Sequence, residues 1–203
     1  MVIINKKIES KIKTRNLILS KAKEIFTNQG MYKTSTRDIS KACGIANGSL
    51  FLHFGTKENL ISTVFENEIK RIANELRSEF ESENNVEVLL EKYLTLLEKE
   101  ENFFSVISRE FQFFPDQLKR QIISFETIIR NYFYSVIEKG IALGKYKDIN
   151  ITSTLTFLFA TINYYLYLKE IHASDESSVI KKKKNEICST FMSMLLKEGG
   201  GKI

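Results

Sequence analysis

The sequence predicts an all-α protein on three observations: apolar residues recur at three- and four-residue spacing along most of the chain, strand-like alternation bounded by turns is almost absent, and punctuation is sparse, with one proline (Pro115) and nine glycines that fall mainly at element ends. Composition agrees. With 43% hydrophobic and 27% charged residues over 203 positions, the chain has the makeup of a globular protein and length for one small and one larger domain.

The elements can be taken in order. Thr14 to Gln29 reads as a helix with Ile18, Ala22, Ile25 and Phe26 on one stripe, and Gly30 is its stop signal. Ser35 followed three positions on by Asp38 is a capping box, in which the hydroxyl and the carboxylate each satisfy a backbone N–H at a helix start. The next helix begins there. Ile39 and Cys43, with Ala42 beside them, give it an apolar stripe, and Gly44 supplies the positive φ that lets the backbone leave the helix after about two turns. Ile45 is expected to plug the corner, and Leu50 and Phe54 bury one face of a third helix whose Asn47, Ser49 and Leu52 stay outside. Thr56 caps a fourth helix opening at Lys57. Two short helices joined by a tight glycine turn are the layout of a helix-turn-helix, which implies duplex DNA as partner.

Beyond this unit, helices are predicted over 57 to 82, 86 to 99, 101 to 113, 115 to 139, 149 to 173 and 176 to 197. Pro115 suits the first turn of its helix, and Gly140 is read as the end of it. The expected organisation is a three-helix DNA-binding domain over residues 1–56 and a larger helical domain over 57–203. The helix from Lys57 runs from one into the other, so its shift would carry a signal between them.

Charge is segregated in the same way. Residues 1 to 57 hold eleven Lys and Arg against Glu9, Glu24 and Asp38, a net of +8; the chain's total of +5 leaves −3 for the remainder. Phosphate neutralisation supplies most non-specific DNA affinity, so a basic end beside an acidic body fits a duplex binder. The five cations from Lys6 to Arg15 are expected to form either a flexible arm along the minor groove or a weakly contributing tail. Ser35, Thr36, His53 and Lys57 are the candidates for phosphates. Arg37, Asn47 and Ser49 are the candidates for base edges, Arg37 having a phosphate as its alternative partner, with Gly48 allowing close approach.

The residues from Thr14 to about Leu60 resemble the amino-terminal domain of the TetR family of one-component transcriptional regulators. The resemblance is carried by Phe26 to Gly30, Thr34-Ser35, Arg37-Asp38-Ile39, Cys43-Gly44-Ile45, Gly48-Ser49-Leu50-Phe51, His53-Phe54 and Thr56-Lys57-Glu58-x-Leu60. Two positions depart from the pattern. Ala46 stands where the family commonly has a hydroxyl residue opening the recognition helix, with Asn47 as a substitute cap, and Phe51 stands where a Tyr hydroxyl usually meets a phosphate.

The resemblance implies a homodimeric regulator, a repressor more readily than an activator, built on a four-helix interface between the last two helices and their copies. Phe157, Tyr164, Ile187, Phe191, Met194 and Leu195 are the expected interface residues; the final helix carries an apolar stripe opposite Lys181 to Lys184. A small apolar or amphipathic effector is expected among the aromatic residues of the body. Phe104, Phe111, Tyr132 and Phe159 would form its walls, and Arg109, Asn131 and Asn163 its polar anchors.

Other classes find little support. Cys43 and Cys188 are far apart, so neither a disulfide framework nor a CxxC metal site is expected, and a reducing cytosol fits. No signal segment is read at the amino terminus. The uncharged run Ile149 to Leu168 has the length of a membrane span but carries seven Ser, Thr and Asn residues, which suits a buried helix better. With His53 and His172 as the only histidines and no nucleophile, metal or phosphate-loop motif, no enzyme activity, metal or cofactor is expected. The competing reading is an architectural DNA binder or a helical adaptor without an effector.

Overall fold

The computed structural model describes residues 6–169 and 178–197. They form nine α-helices and a short 3-10 turn, with no strand among them: α1 (Lys6–Gln29), α2 (Thr36–Cys43), α3 (Asn47–Phe54), α4 (Lys57–Phe80), α5 (Val86–Lys99), α6 (Glu101–Glu110), the 3-10 turn (Phe111–Phe113), α7 (Asp116–Ala142), α8 (Ile151–Tyr167) and α9 (Val179–Leu195). The protein is all-α, as its periodicity predicts. Positions 170–173 and 176–177 of the last two predicted helices, and His172 with them, lie outside the described residues.

The chain divides into two compact units, Met1–Arg71 with Glu110–Gln121, and Ile72–Arg109 with Ile122–Ile203. In the first, Ile18, Ala22 and Phe26 of α1 are buried with Ile39, Leu50, Leu60 and Phe65. The Phe65 ring meets Phe26 at 6.4 Å and stands edge-on to Phe114 at 4.8 Å. The segment from residue 110 also fixes the loop after α1. Glu110 Oε2 accepts hydrogen bonds from the backbone N–H of Met31 (2.9 Å) and of Tyr32 (3.1 Å), and Tyr32 packs on Phe113 with ring centroids 5.3 Å apart. Gly30 adopts φ +83, and a Cβ there would run into the Glu110 carboxylate. The conformation therefore favours glycine at the stop of α1, and a side chain there would also have to displace the Glu110 carboxylate.

The second unit is organised around Phe133, whose ring stands edge-on to Phe80, Tyr93, Phe159 and Phe191 at 6.0 to 6.4 Å. One ring of α7 thereby ties α4, α5, α8 and α9, and each such pair contributes about 0.5–1.5 kcal/mol beyond burial. Glu101 is a buried carboxylate at the start of α6, and it is not an orphan. Its Oε1 accepts from Ser178 Oγ (3.0 Å) and Ile180 N (2.8 Å), and its Oε2 lies 3.3 Å from Lys169 Nζ. It thus holds the entry to α9, satisfying the charge that burial would otherwise penalise.

Four expectations are corrected. Helix α1 begins at Lys6, so the basic stretch of residues 6–13 is helical rather than a flexible arm or tail. Gly140 lies inside α7, which runs to Ala142. It is there because the buried Tyr146 ring packs against its Cα, where a Cβ would collide. Ala42 is exposed and Ser40 takes the buried position in α2. Helix α6 ends at Glu110, and the remainder of the predicted 101–113 helix tightens into the 3-10 turn before Pro115, whose carbonyl accepts from Lys119 N at the start of α7.

Among the described residues, no helix is long and apolar enough to cross a membrane. Helix α8 buries Ile151, Leu155, Leu158, Phe159, Ile162 and Leu166.

Candidate nucleic-acid interface

The capping box is present at α2. Asp38 N donates to Ser35 Oγ at 3.2 Å, and Ser35 N donates to Asp38 Oδ2 at 2.9 Å. These bonds hold the Asp38 carboxyl below its ordinary range, since they favour its charged form. The helix stops at Gly44 in the left-handed region (φ 65, ψ 30), whose N–H returns to the carbonyl of Lys41. After this turn α3 opens from Ala46, which offers no side-chain cap.

Asn47 does not supply the missing cap. Its Oδ1 lies 3.1 Å from Ser40 Oγ, which shares its one proton with the Thr36 carbonyl at 2.8 Å. The amide is tethered across the turn to α2, half-buried, so the relation of α2 to α3 is fixed by a polar contact as well as by Ile39, Leu50 and Phe54 in the core. Ser40 is the residue that the sequence reading misses. Its only signal is its position four residues after Thr36 in a two-turn helix.

The remaining candidates spread around this hairpin. Ser35, Arg37, Gly48 and Phe51 are exposed, and Thr36, Ser49, His53 and Lys57 are half-buried. A Cβ at Gly48 would meet nothing within 4 Å, so the first turn of α3 presents bare backbone to the outside. Leu52 is 84% exposed. Thr56 Oγ1 accepts from Asn59 N at 3.0 Å, capping α4 as expected and leaving the Lys57 side chain at the first turn of a helix N-terminus.

At the far end of α3, Arg15 of α1 donates from Nη1 to the His53 carbonyl (2.7 Å) and lays its guanidinium over the Phe54 ring at 4.2 Å. His53 Nδ1 is buried with no hydrogen-bond partner in the protein. Loss of hydration, then the fields of Lys11 and Arg15, hold its imidazole below the ordinary histidine value, so it is neutral at pH 7. The Arg15 guanidinium therefore closes this end of α3, and the charge of Lys11 is felt there too.

The candidates in the second unit are less gathered. Phe104 stacks on Phe125 at 6.3 Å, Tyr132 stands edge-on to Phe80 at 5.6 Å, and Phe159 lies under the Arg130 guanidinium at 4.3 Å. Asn131 and Asn163 are exposed, and Arg109 is half-buried at the end of α6. Phe111, in the first unit, is half-buried in the 3-10 turn. A hollow of about 100 Å³ lies between α8 and α9, lined by Phe157, Thr161, Tyr165, Ile187, Phe191 and Met194; none of the seven ligand candidates lines it. Phe157 and Tyr164 are 64% and 56% exposed, and Met194 is exposed too. Ile187, Phe191 and Leu195, by contrast, are buried within the protomer.

Residues 18–64 match the tetR family of bacterial regulatory proteins. The chain is 21% identical over 151 residues, 72% of its own length and 78% of the relative's, to the fatty acid metabolism regulator protein of Bacillus subtilis. Among solved structures, it shares its fold with a transcriptional regulator from Saccharomonospora viridis in complex with choline (TM-score 0.79, 14% identity, 92% of this chain and 99% of that one). It shares it also with the regulator FadR of Bacillus subtilis in complex with stearoyl-CoA (TM-score 0.68, 17% identity, 88% and 98%). Residues 18–64 thus match the DNA-binding domain of the tetR family, and the chain as a whole shares its all-helical fold with solved transcriptional regulators.

Proposed function

We propose that the protein is a cytoplasmic, homodimeric repressor that grips a palindromic operator with α3 and releases it when a small apolar or amphipathic effector binds the larger unit. One observation carries the reading: the capped α2, the left-handed Gly44 and the open first turn of α3 form a rigid hairpin that offers a slim, mostly polar edge to a major groove. In this reading Ser35, Thr36, His53 and Lys57 hold phosphates. Arg37, Asn47 and Ser49 meet base edges, and Phe51 contributes contact area without a phosphate hydrogen bond.

Two copies are needed to read successive major grooves about 34–36 Å apart. The exposed Phe157, Tyr164 and Met194 beside the α8–α9 hollow support that face as the interface, with Ile187, Phe191 and Leu195 stiffening it from behind. For the effector, the name of the Bacillus subtilis relative and the stearoyl-CoA of one structural neighbour favour an acyl chain, held among aromatic walls such as Phe104, Tyr132 and Phe159. The choline of the other neighbour favours a small cation instead.

Selection from random duplex DNA, followed by footprinting, tests the first half: a palindromic site is expected, and no enriched duplex overturns the reading. Titrating that complex with stearoyl-CoA and with choline tests the second half. Release by the former alone is expected, and retention of DNA with both removes an acyl effector.

A further inference from the structure

Helix α3 carries a ridge that the fold does not account for. An α-helix advances by about 100° per residue, so Leu50 and Phe54, 0% and 6% exposed, fix the direction of the core, and Leu52, two residues from each, stands on the opposite side. Its 84% exposure is matched among the described large apolar side chains by Leu143 alone. Gly48 lies four residues earlier on the same face. Neither a positive φ nor a close neighbour demands glycine there, since a Cβ would meet nothing within 4 Å, and glycine weakens a helix. A leucine left in water and a missing side chain therefore sit one turn apart on the outermost line of the helix. Asn47 and Phe51 run along one flank of that line, and Ser49 and His53 along the other.

An exposed leucine gains free energy from an apolar partner that leaves water with it. Donors and acceptors line the floor of a major groove, and its apolar feature is the 5-methyl group of thymine. Bare backbone at Gly48 lets the helix close on the groove, and Leu52, one turn later, then reaches inward between the polar flanks. A protein partner fits this ridge less well: it is one leucine wide, Ser49 and a glycine adjoin it, and lysine and arginine are in excess over the first 57 residues. We propose that Leu52 is a specificity-determining residue of α3 that packs on the methyl group of one thymine in each operator half-site. This contact rests on the DNA-binding reading above and deepens it, adding an apolar determinant to the hydrogen-bonding side chains of Arg37, Asn47 and Ser49.

Replacing thymine by deoxyuridine removes that methyl and keeps every hydrogen-bonding group of the base, so it isolates the contact. The site enriched from random duplex DNA by the full chain is remade with deoxyuridine at each thymine position in turn, symmetrically in both half-sites. Affinity is then measured for the unaltered chain and for Leu52→Ala, a substitution at a water-facing position that alanine suits as a helix former. At one position, loss of a buried methyl should weaken binding by the unaltered chain about fourfold per half-site, and so about fifteenfold for the pair. Leu52→Ala should bind the two duplexes equally. An enriched site with no invariant thymine, or a Leu52→Ala chain that keeps the unaltered ratio of thymine to deoxyuridine affinity at every position, overturns the contact and leaves the helix-turn-helix reading intact. Failure to enrich any duplex overturns both. If Leu52→Ala binds the thymine site as tightly as the unaltered chain but changes mass by light scattering, Leu52 meets a second copy and the proposal falls.

Discussion

His53 shows how much a single position depends on its surroundings. Because its folded-state value lies below the unfolded reference of 6.5, the free protein resists protonation there, and stability contributed by the neutral ring is lost as pH falls from that reference through the folded value. A phosphate beside the ring reverses the preference. DNA affinity is therefore expected to rise as pH is lowered from 7 toward 6, with proton uptake on binding, and His53→Gln is expected to flatten that profile; an identical profile in the variant refutes a phosphate role. Asn47 and Lys57 separate in the same spirit. Lys57→Ala should weaken binding to all sequences, whereas Asn47→Ala should alter which base is preferred at one operator position, at a cost of about 1 kcal/mol in stability from the lost Ser40 contact. Gel shifts on an operator and on single-base variants of it measure both. The sequence displays Asn47 as a polar residue on a short helix, but not the tether, because its partner is set by the angle between α2 and α3.

At the scale of elements, local signals were the legible ones. Ser35, Asp38 and Gly44 act through bonds spanning three or four residues, so the start and stop of α2 could be read directly. Gly140 was misread for the opposite reason: its neighbour Tyr146 arrives through the turn at Gly144, and periodicity carries no trace of that ring. Gly140→Ala is expected to cost about 1–3 kcal/mol by overpacking, seen as a lowered thermal midpoint, although alanine is the better helix former. An unchanged or raised midpoint would show that the ring moves aside freely. Helix α8 has a second apolar face on which Phe157 is 64% exposed and Tyr164 56%. Phe157→Glu is predicted to convert a dimer into a monomer by light scattering and to abolish operator binding with it. The burial of Ile187, Phe191 and Leu195 within one chain could not be told from burial between two, since both give the same stripe on α9.

For the whole molecule, the helix-turn-helix order was legible, while the grouping of distant segments by contact is not displayed by a linear reading. Sequence suggests a boundary near residue 56, where a cap begins a new helix. Contacts draw the unit differently, ending at Arg71 within α4 and recruiting Glu110 to Gln121 from much later in the chain. The aromatic residues nominated for a ligand show the same gap: a Phe on a helical stripe looks alike whether it faces a rotamer-locked neighbour, as Phe159 faces Tyr93 and Phe133, or an acyl chain. Binding of an effector there should raise the thermal midpoint in proportion to the logarithm of its concentration, and a flat response to stearoyl-CoA would argue against that chemistry.

The Glu110 carboxylate has a consequence for anyone transplanting parts between such regulators. A head excised at residue 56 leaves behind the acceptor for the Met31 and Tyr32 amides and both rings, Phe65 and Phe114, that close the floor under Phe26. A chimera that grafts only the leading three helices onto a foreign body should melt earlier than one that also carries residues 57–71 and 110–121. Swapping is then an operation on a discontinuous cassette rather than on a prefix.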